Sequence, residues 1–214
     1  MLAMEEVDEE ELEEALTTIS EATHLTLKNL HRTADLVQRF KRSSIDQTYE
    51  QVRSFQVIEV AQDVLSTLCN RLTQRGIEVT LDCPEELSVI SMPGLLEQIL
   101  INLIQNSLQH GFDEDCKGGE IRLFCGMVEE SFFMEYQDNG KGMSNEVRLR
   151  LFEPFFTTLR GKGGSGLGMY ICYNLIHRNH GTLYCESEPG NGVWFRMTLP
   201  TVSQEQYEQQ LAQL

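Results

Sequence analysis

Three short segments of this chain constrain its fold and its function most strongly. They lie close together in the sequence, and each combines polar or glycine residues with a regular element beside them. They are the helical run 96–110, the segment 138–143 that follows an apolar run, and the glycine-rich segment 161–168 that precedes a helical run. Their combination predicts a nucleotide site built from a polar helix face, a carboxylate and a loop that binds phosphate.

The first segment carries amides along one side of a helix. Asn102, Asn106 and Gln109 are four and three residues apart, so they share one face. The opposite face is apolar and consists of Leu100, Ile104 and Leu108. Buried amides are costly unless they are hydrogen-bonded, and an amide oxygen can coordinate Mg²⁺. A solvated polar face is the alternative interpretation.

The second segment places a carboxylate directly after a strand. Asp138 could accept a hydrogen bond from an exocyclic amine, and Gly140 and Gly142 would let a planar base approach the backbone. Taken alone, this pattern is more typical of a simple turn.

The third segment, residues 161–168, resembles an anion-binding loop in its chemistry. Backbone N–H groups at a glycine-rich helix start bind anions with little side-chain charge. The segment is neither a Walker A loop nor a Rossmann turn, because the terminal Lys-Ser/Thr and the preceding strand are missing. Arg160 and Lys162 are close enough in sequence to add positive charge.

Charge and composition argue against several classes of function. The net charge of −16 disfavours general binding to nucleic acid or to an anionic membrane. The six cysteines form no CxxC pair, so they indicate buried or incidental thiols in a reducing compartment, not disulfides or a zinc site. No run of roughly 18 apolar residues is present, and the N-terminus is acidic. We expect a cytoplasmic protein without direct membrane contact, or the cytosolic end of a longer one.

Hydrophobic periodicity predicts paired strands separated by single helices. The predicted helices are 16–41, 59–75, 93–110 and 166–178, and the predicted strands are 51–57, 77–81, 87–90, 121–127, 132–136, 182–186 and 193–199. This order indicates an α+β fold in which a mixed, mostly antiparallel sheet has its helices on one face. The connection 138–164 is predicted to be irregular. The long first helix would pack on another helix, in a hairpin or a dimer, or else on its own domain.

These segments resemble the ATP-binding catalytic domain of sensor histidine kinases, within the wider Bergerat-fold group of gyrase B, Hsp90 and MutL. The matching boxes are 102–107 (NLIQNS), 138–143 (DNGKGM), 151–158 (LFEPFFTT) and 164–168 (GSGLG), with a closing pattern at 181–200. The resemblance covers about residues 50–200. It implies a two-layer α/β sandwich at 47–202 with a lid at roughly 143–163. Residues 1–46 would be part of a dimerisation domain, and 203–214 a C-terminal tail.

The resemblance also implies roles for individual residues around ATP and Mg²⁺. Asn106 would hold Mg²⁺ at the phosphates, Asp138 would accept the adenine amino group, and Phe152 and Phe155 would anchor the lid. The glycines that would admit the base or contact phosphate are Gly140, Gly142, Gly164, Gly166 and Gly168. The other residues expected to contact ATP are Asn102, Gln109, His110, Lys141, Met143, Thr157, Thr158, Arg160, Lys162, Gly163, Ser165 and Leu167.

Two positions bear on the chemistry that the resemblance implies. Asn102 stands where the hydrolytic relatives carry a glutamate base. Because an amide cannot take a proton from water at neutral pH, this residue favours phosphoryl transfer over hydrolysis. Gln109 stands where many histidine kinases carry lysine, and Lys141, Arg160 or Lys162 would have to compensate.

The phosphoacceptor histidine expected of such a kinase is missing from the sequence. No His-Glu-x-x-x-Pro-Leu segment occurs, and His24 and His31 lack the acidic neighbour that would act as base. We expect the acceptor to lie outside these residues, in a longer, homodimeric sensor kinase that is anchored to a membrane and of which this chain is a cytosolic part. The phosphoryl group would then pass to an aspartate of a response regulator receiver domain. A gyrase- or chaperone-type ATPase and a degenerate, non-catalytic interaction module are the alternatives.

Overall fold

The computed structural model describes residue 8, residues 12–27, residue 30, and residues 52–113, 118–159 and 164–201. Two compact units are present, Met1–Gln47 and Thr48–Leu214. In the first, residues 12–27 form helix α1, in which threonine hydroxyls donate to carbonyl oxygens one turn earlier. Apart from residue 30, which is also helical, the remainder of the helix predicted at 16–41 lies outside the described residues. The domain boundaries stay a prediction. No helix in the described part of the chain is long and apolar enough to cross a membrane.

The second unit is built on a five-stranded sheet in the order β2-β4-β5-β7-β6, beside a two-stranded sheet of β1 and β3. The strands are β1 Arg53–Gln56, β2 Ile77–Asp82, β3 Ser88–Ser91, β4 Gly119–Val128, β5 Ser131–Asp138, β6 Thr182–Ser187 and β7 Val193–Pro200. The helices are α2 Val57–Gln74, α3 Pro93–Asn106, α4 Asn145–Arg150 and α5 Gly168–Arg178. Strand β2 runs parallel to β4, and the other neighbouring strands are antiparallel.

The hydrophobic core lies between this sheet and its helices. Helix α3 packs between α2 and α5. Along β4, residues 119, 121, 123 and 125 are buried, and residues 120, 122 and 124 between them are exposed. Such alternation is expected of a sheet that is covered on one face only. The predicted α+β fold, with a mixed and mostly antiparallel sheet, is confirmed.

Helix α2 shows how local sequence sets these elements. Its buried side chains recur at helical spacing and are Val57, Val60, Ala61, Val64, Leu68 and Leu72. Gly76 follows the helix with φ +61°, and its N–H donates to the carbonyl oxygen of Thr73 at 3.0 Å. Glycine adopts this left-handed conformation without strain, so the helix end predicted at this residue is confirmed.

The end of α3 differs from the prediction of one helix over 93–110. The α-helix ends at Asn106 and continues as a π-helical turn, Ser107–Gly111. The wider turn is closed by a hydrogen bond from the N–H of Phe112 to the carbonyl oxygen of Ser107, at 3.0 Å. Arg75, which follows α2, donates to the carbonyl oxygen of Leu108 at 2.6 Å. A residue distant in sequence thus contacts the turn, and periodicity does not reveal such a contact.

The connection predicted to be irregular at 138–164 contains the short helix α4. The hydroxyl of Ser144 accepts a hydrogen bond from the N–H of Val147 at 3.4 Å and caps the first turn. Six residues are too few to show a helical period, and none of them is buried. The prediction of an unbroken irregular segment was wrong for this reason.

Candidate nucleotide site

Asp138 ends strand β5, near the middle of the sheet, and its side chain is only 2% exposed. One carboxylate oxygen, Oδ1, accepts backbone N–H groups from Gly140 at 3.0 Å and from Val193 at 3.2 Å. The other oxygen, Oδ2, accepts the hydroxyl of Ser107. Because a carboxylate oxygen can accept two hydrogen bonds, Oδ2 has capacity for one more donor.

The hydroxyl groups of Ser107 and Tyr136 form a hydrogen-bonded series that ends at this carboxylate. Ser107 gives its proton to Asp138, so its oxygen is able to accept the phenolic proton of Tyr136, whose oxygen lies 2.7 Å away. Burial raises the pKa of Tyr136 well above its ordinary value, which keeps the phenol a donor. Burial also raises the pKa of Asp138, while the hydrogen bonds from Ser107, Gly140 and Val193 oppose that shift. These donors favour the ionised carboxylate, the form that accepts hydrogen bonds.

The space beside Oδ2 of Asp138 is bounded by Gly111. A Cβ at Gly111 would lie 3.3 Å from Oδ2 and 3.6 Å from the Cβ of Ser107. Gly140 packs on the same residue, since a Cβ there would be 2.6 Å from the carbonyl oxygen of Gly111. The N–H of Lys141 donates to that oxygen at 2.9 Å. The loop after Asp138 is thus held against the turn that follows α3, and a side chain at position 111 would crowd Oδ2.

Two glycines with positive φ bring the turn between β6 and β7 against the same loop. Gly142 has φ +65°, and a Cβ there would collide with the carbonyl oxygen of Glu188. Gly192 has φ +67°, and a Cβ there would collide with the carbonyl oxygen of Asp138. Both positions therefore require glycine for two independent reasons, conformation and space.

At the other end of the site, Asn102 and Asn106 face the first turn of α5. Asn102 is 9% exposed, and its Nδ2 donates to the carbonyl oxygen of Gly168 at 3.3 Å and contacts the sulfur of Cys172 at 3.4 Å. A Cβ at Gly168 would lie 3.6 Å from Oδ1 of Asn102 and 3.9 Å from Oδ1 of Asn106. A fully solvated amide face is therefore the wrong interpretation, because Asn102 is buried and bonded.

The glycine-rich loop before α5 packs closely on residues 155–159. A Cβ at Gly166, which has φ +66°, would lie 2.5 Å from the carbonyl carbon of Phe155. A Cβ at Gly164 would lie 2.5 Å from the hydroxyl oxygen of Thr157. The described glycines of the loop thus allow two backbone segments to touch beside the start of a helix.

The segment that the resemblance identifies as a lid contains α4 and contacts α5 through an aromatic ring. The ring of Phe152 lies 5.3 Å from that of Tyr173 in α5. The guanidinium of Arg150 lies 4.4 Å from the ring centre of Phe156, which is a cation–π distance. Phe155, one of the two predicted anchors, is 52% exposed. Of that predicted pair, Phe152 is the one that contacts a helix through its ring.

His110 connects the turn after α3 with this segment. Its Nδ1 lies 2.9 Å from the hydroxyl oxygen of Thr158. Burial lowers the pKa of His110, and the positive charge of Lys141 lowers it further. The neutral imidazole is therefore the form that the folded protein favours.

This lowered pKa predicts a pH-dependent contribution to stability. Below the ordinary pKa of 6.5, the unfolded chain binds a proton at His110 that the folded chain resists. The contribution is complete above that value and is lost as the pH falls through the lowered, folded pKa. We expect the free energy of unfolding to fall more steeply between about pH 7 and pH 5 in the natural sequence than in His110→Gln. Urea titrations at several pH values measure this slope. The control is His177→Gln, which changes an exposed histidine and should keep the steeper slope. Equal slopes in all three proteins would contradict the assignment.

The remaining predicted residues fall at the edges of the site or outside the described residues. The ammonium of Lys141 lies 3.7 Å from a carboxylate oxygen of Asp113, and Gln109 is exposed. The N–H of Met143 donates to Ser187 at 2.8 Å. Two predicted loop residues bond to each other, because the hydroxyl of Ser165 accepts the N–H of Leu167 at 3.3 Å. Three others, Arg160, Lys162 and Gly163, lie outside the described residues.

Sequence reasoning assigned no role to several residues that shape the site. They are Ser107, Gly111, Tyr136, Cys172, Gly192 and Val193. Ser107 is the last residue of the box at 102–107, and its place in that box is a signal in the sequence. Burial raises the pKa of Cys172 to about 12, so its thiol stays protonated beside Asn102. The remaining contacts join segments 25 or more residues apart, and no local pattern signals them.

The fold and this site agree with one protein family. Residues 92–203 match the model of the histidine kinase-, DNA gyrase B- and HSP90-like ATPases. The chain belongs to this family. The predicted resemblance to sensor histidine kinase ATP-binding domains is confirmed, and with it the expectation of an ATP-binding domain.

Among similar proteins, the alginate biosynthesis sensor protein KinB of Pseudomonas aeruginosa is 32% identical over 143 residues, which are 64% of this chain and 23% of KinB. The sensor kinase CckA of Brucella abortus is 30% identical over 83% of this chain and 20% of its own length. The chain thus spans about a fifth of the length of these relatives.

Solved structures agree with the fold. The nucleotide-free catalytic domain of histidine kinase ThkA is 25% identical and has a TM-score of 0.62, covering 72% of this chain and 99% of that domain. Histidine kinase AdeS of Acinetobacter baumannii is 21% identical and has a TM-score of 0.63. The match covers 93% of this chain and 88% of the AdeS chain. At this identity the similarity is one of fold.

Proposed function

We propose that residues 48–214 bind Mg-ATP and present its γ-phosphoryl group to a histidine outside these residues, as the kinase domain of a two-component sensor. One observation carries the proposal. A buried carboxylate with spare acceptor capacity, Asp138, occupies one end of the site, and amides that face a helix start, Asn102 and Asn106, occupy the other. The first matches an exocyclic amine of a base, and the second matches phosphate.

At the base end, the adenine amino group would donate to Oδ2 of Asp138 across the space left by Gly111. The carboxylate is fixed by three protein donors, so it need not reorganise when the base enters. Preorganised acceptors bind more tightly because ordering costs are already met in the free protein. A base without an exocyclic donor at that position would leave the second acceptor position of Oδ2 unfilled, beside the bond from Ser107.

At the phosphate end, the fit to Mg²⁺ follows from the donor set. The described residues contain no group of three or more His, Cys, Asp or Glu side chains that could hold a metal ion. In nucleotide sites Mg²⁺ takes few protein ligands and keeps phosphates and waters for the rest, so an amide such as Asn106 suits it. When bound, the ion would neutralise charge on the phosphates. The first turn of α5 would add backbone N–H groups.

Asn102 favours transfer over hydrolysis. Its amide is buried and donates to the carbonyl oxygen of Gly168, and an amide has no basic site that could deprotonate water at neutral pH. Water bound near the γ-phosphate would therefore lack a general base at this position. The relatives named as sensor kinases also favour this interpretation over an ATPase or a degenerate binding module.

The wider setting of the domain is part of the same proposal. Histidine kinase ThkA has been solved in complex with the response regulator protein TrrA, at 23% identity to this chain and a TM-score of 0.62. By analogy, a receiver-domain aspartate would take the phosphoryl group from the acceptor histidine. We further propose that the full-length kinase is a homodimer and that this domain works in the cytoplasm.

The test of the site measures ATP affinity by calorimetry with Mg²⁺ and with a chelator. The natural sequence should bind ATP more tightly with Mg²⁺. In Asn106→Ala this difference should shrink about tenfold or more, because a ligand to a charged group is lost. Gln105→Ala, the neighbouring amide on α3, is the matched control and should keep the Mg²⁺ effect. An unchanged Mg²⁺ effect in Asn106→Ala would refute the assignment of this residue.

A further inference from the structure

Two cysteines at the end of the parallel ladder form a pair that the nucleotide site does not use. The register of β2 and β4 places Asp82 opposite Phe124. Cys83 directly follows Asp82 at the end of β2, and Cys125 directly follows Phe124 within β4. Neighbouring strands lie about 4.8 Å apart, within the span of about 4.4 to 6.8 Å between the Cα atoms of a disulfide.

Both side chains point to the same face of the sheet. On β4, Cys125 continues the buried series of residues 119, 121 and 123, and it is 2% exposed. On β2, the odd-numbered residues are the less exposed ones, and Cys83 continues that series as a half-buried thiol. The thiol of Cys83 donates to the carbonyl oxygen of Pro84 at 3.8 Å, and the neighbouring thiols shift each other's pKa in opposite directions. Asp82 and Phe124 point to the opposite face, so no carboxylate completes a metal site here.

The two thiols differ in exposure and in acidity. Cys83 is accessible from solvent, whereas Cys125 is buried. Contact with the neighbouring thiol of Cys125 lowers the pKa of Cys83, although burial and the charge of Asp82 oppose this. The same contact raises the pKa of Cys125, and burial raises it further. An accessible thiol with a lowered pKa reacts first with an oxidant, and a neighbouring thiol can then resolve it.

We propose that Cys83 and Cys125 are an oxidisable pair, in which a hydroperoxide oxidises Cys83 and Cys125 closes an intramolecular disulfide between β2 and β4. The Cys83 thiolate attacks one peroxide oxygen, the O–O bond breaks, and the leaving oxygen takes a proton. Sulfur of Cys125 then attacks sulfur of the Cys83 sulfenic acid; the S–O bond breaks and the leaving hydroxide takes the Cys125 proton. With hydrogen peroxide, two thiols are oxidised to a disulfide and the peroxide is reduced to two waters.

The cross-link lies away from the nucleotide site. Ile121, the partner of Asp138 in the sheet, precedes Cys125 by four residues, or about 13 Å of extended strand. The closed loop between the two cysteines contains α3. Because the cross-link lies this far from Asp138, we expect the disulfide to change ATP affinity by no more than about twofold.

The test treats the reduced, purified chain with hydrogen peroxide, alkylates the remaining thiols and maps the peptides by mass spectrometry. The natural sequence should lose two alkylatable thiols together and yield a Cys83–Cys125 cross-linked peptide, two hydrogen atoms lighter and reversed by dithiothreitol. Cys69→Ser, which removes an exposed thiol, is the matched control and should form the same cross-link.

Single-cysteine variants test the order of events. Cys125→Ser should accumulate a sulfenic acid on Cys83 that dimedone traps, and Cys83→Ser should leave Cys125 reduced. Oxidation of Cys69 while the pair stays reduced, a disulfide between two chains, or Cys83 over-oxidised with Cys125 still alkylatable would each overturn the proposal. The peptide map of the natural sequence needs no variant, so the test stands if a variant does not fold.

Discussion

Asp138→Asn is expected to raise the Kd for ATP about 10- to 100-fold. The substitution keeps the size of the side chain but replaces one carboxylate oxygen with an NH₂ group. Oδ1 can still accept the backbone N–H groups of Gly140 and Val193, which would leave the NH₂ group at the position of Oδ2. The NH₂ group of the asparagine would then face the amino group of the base, and both groups are hydrogen-bond donors. Hydrogen bonds to charged groups contribute about 1.5 to 3 kcal/mol, which gives this range of affinity.

The matched control for this variant is Asp113→Asn. It removes the same charge from an exposed carboxylate near Lys141 and should leave the affinity nearly unchanged. Calorimetry on all three proteins, with circular dichroism to verify folding, makes the comparison. A folded Asp138→Asn variant with the affinity of the natural sequence would show that the base does not bind at Oδ2.

Gly192→Ala is expected to lower the free energy of unfolding by about 2 to 5 kcal/mol, which is among the largest losses for a single substitution near the site. The left-handed conformation at φ +67° costs an L-residue about 1 to 2 kcal/mol. The added methyl group would also meet the carbonyl oxygen of Asp138, and overpacking adds about 1 to 3 kcal/mol. Because that carbonyl belongs to the residue that binds the base, ATP affinity should fall in any folded fraction.

Gly190→Ala separates the two causes. Gly190 lies in the same turn with φ +86°, and a Cβ there would have nothing within 4 Å. This variant should lose only the conformational part, about 1 to 2 kcal/mol. Urea denaturation measures both free energies of unfolding. Equal losses in the two variants would mean that the contact with Asp138 carries no cost.

The regular elements could be predicted because local sequence decides them. The apolar spacing of α2 and the glycine after it place the helix to within two residues at each end. The alternation of β4 and β5 likewise gives their positions, although both strands are longer than predicted. The π-helical turn after α3 could not be predicted, because it is associated with a hydrogen bond from Arg75, 33 residues from its acceptor. Helix α4 is too short to have a visible period.

The site could be predicted only in part for the same reason. The sequence boxes identify Asp138, the amides of α3 and the glycines near α5, since those residues occur in recognisable local patterns. The contacts that make Asp138 an acceptor come from Ser107 and Val193, 31 and 55 residues away. Nothing local to either residue indicates that role. The individual roles at ATP and Mg²⁺, and the function of residues 1–46, stay predictions.

Incubating the chain with Mg-ATP, and following both phosphate release and acid-labile phosphorylation, tests the central claim most directly. The proposal is that the domain holds ATP for transfer to a histidine elsewhere, because the buried amide of Asn102 provides no base for water. We predict that ATP binds and stays intact, with negligible release of phosphate and no phosphohistidine on the chain. Steady hydrolysis that survives Asn102→Ala, or an acid-labile phosphoprotein, would contradict this account.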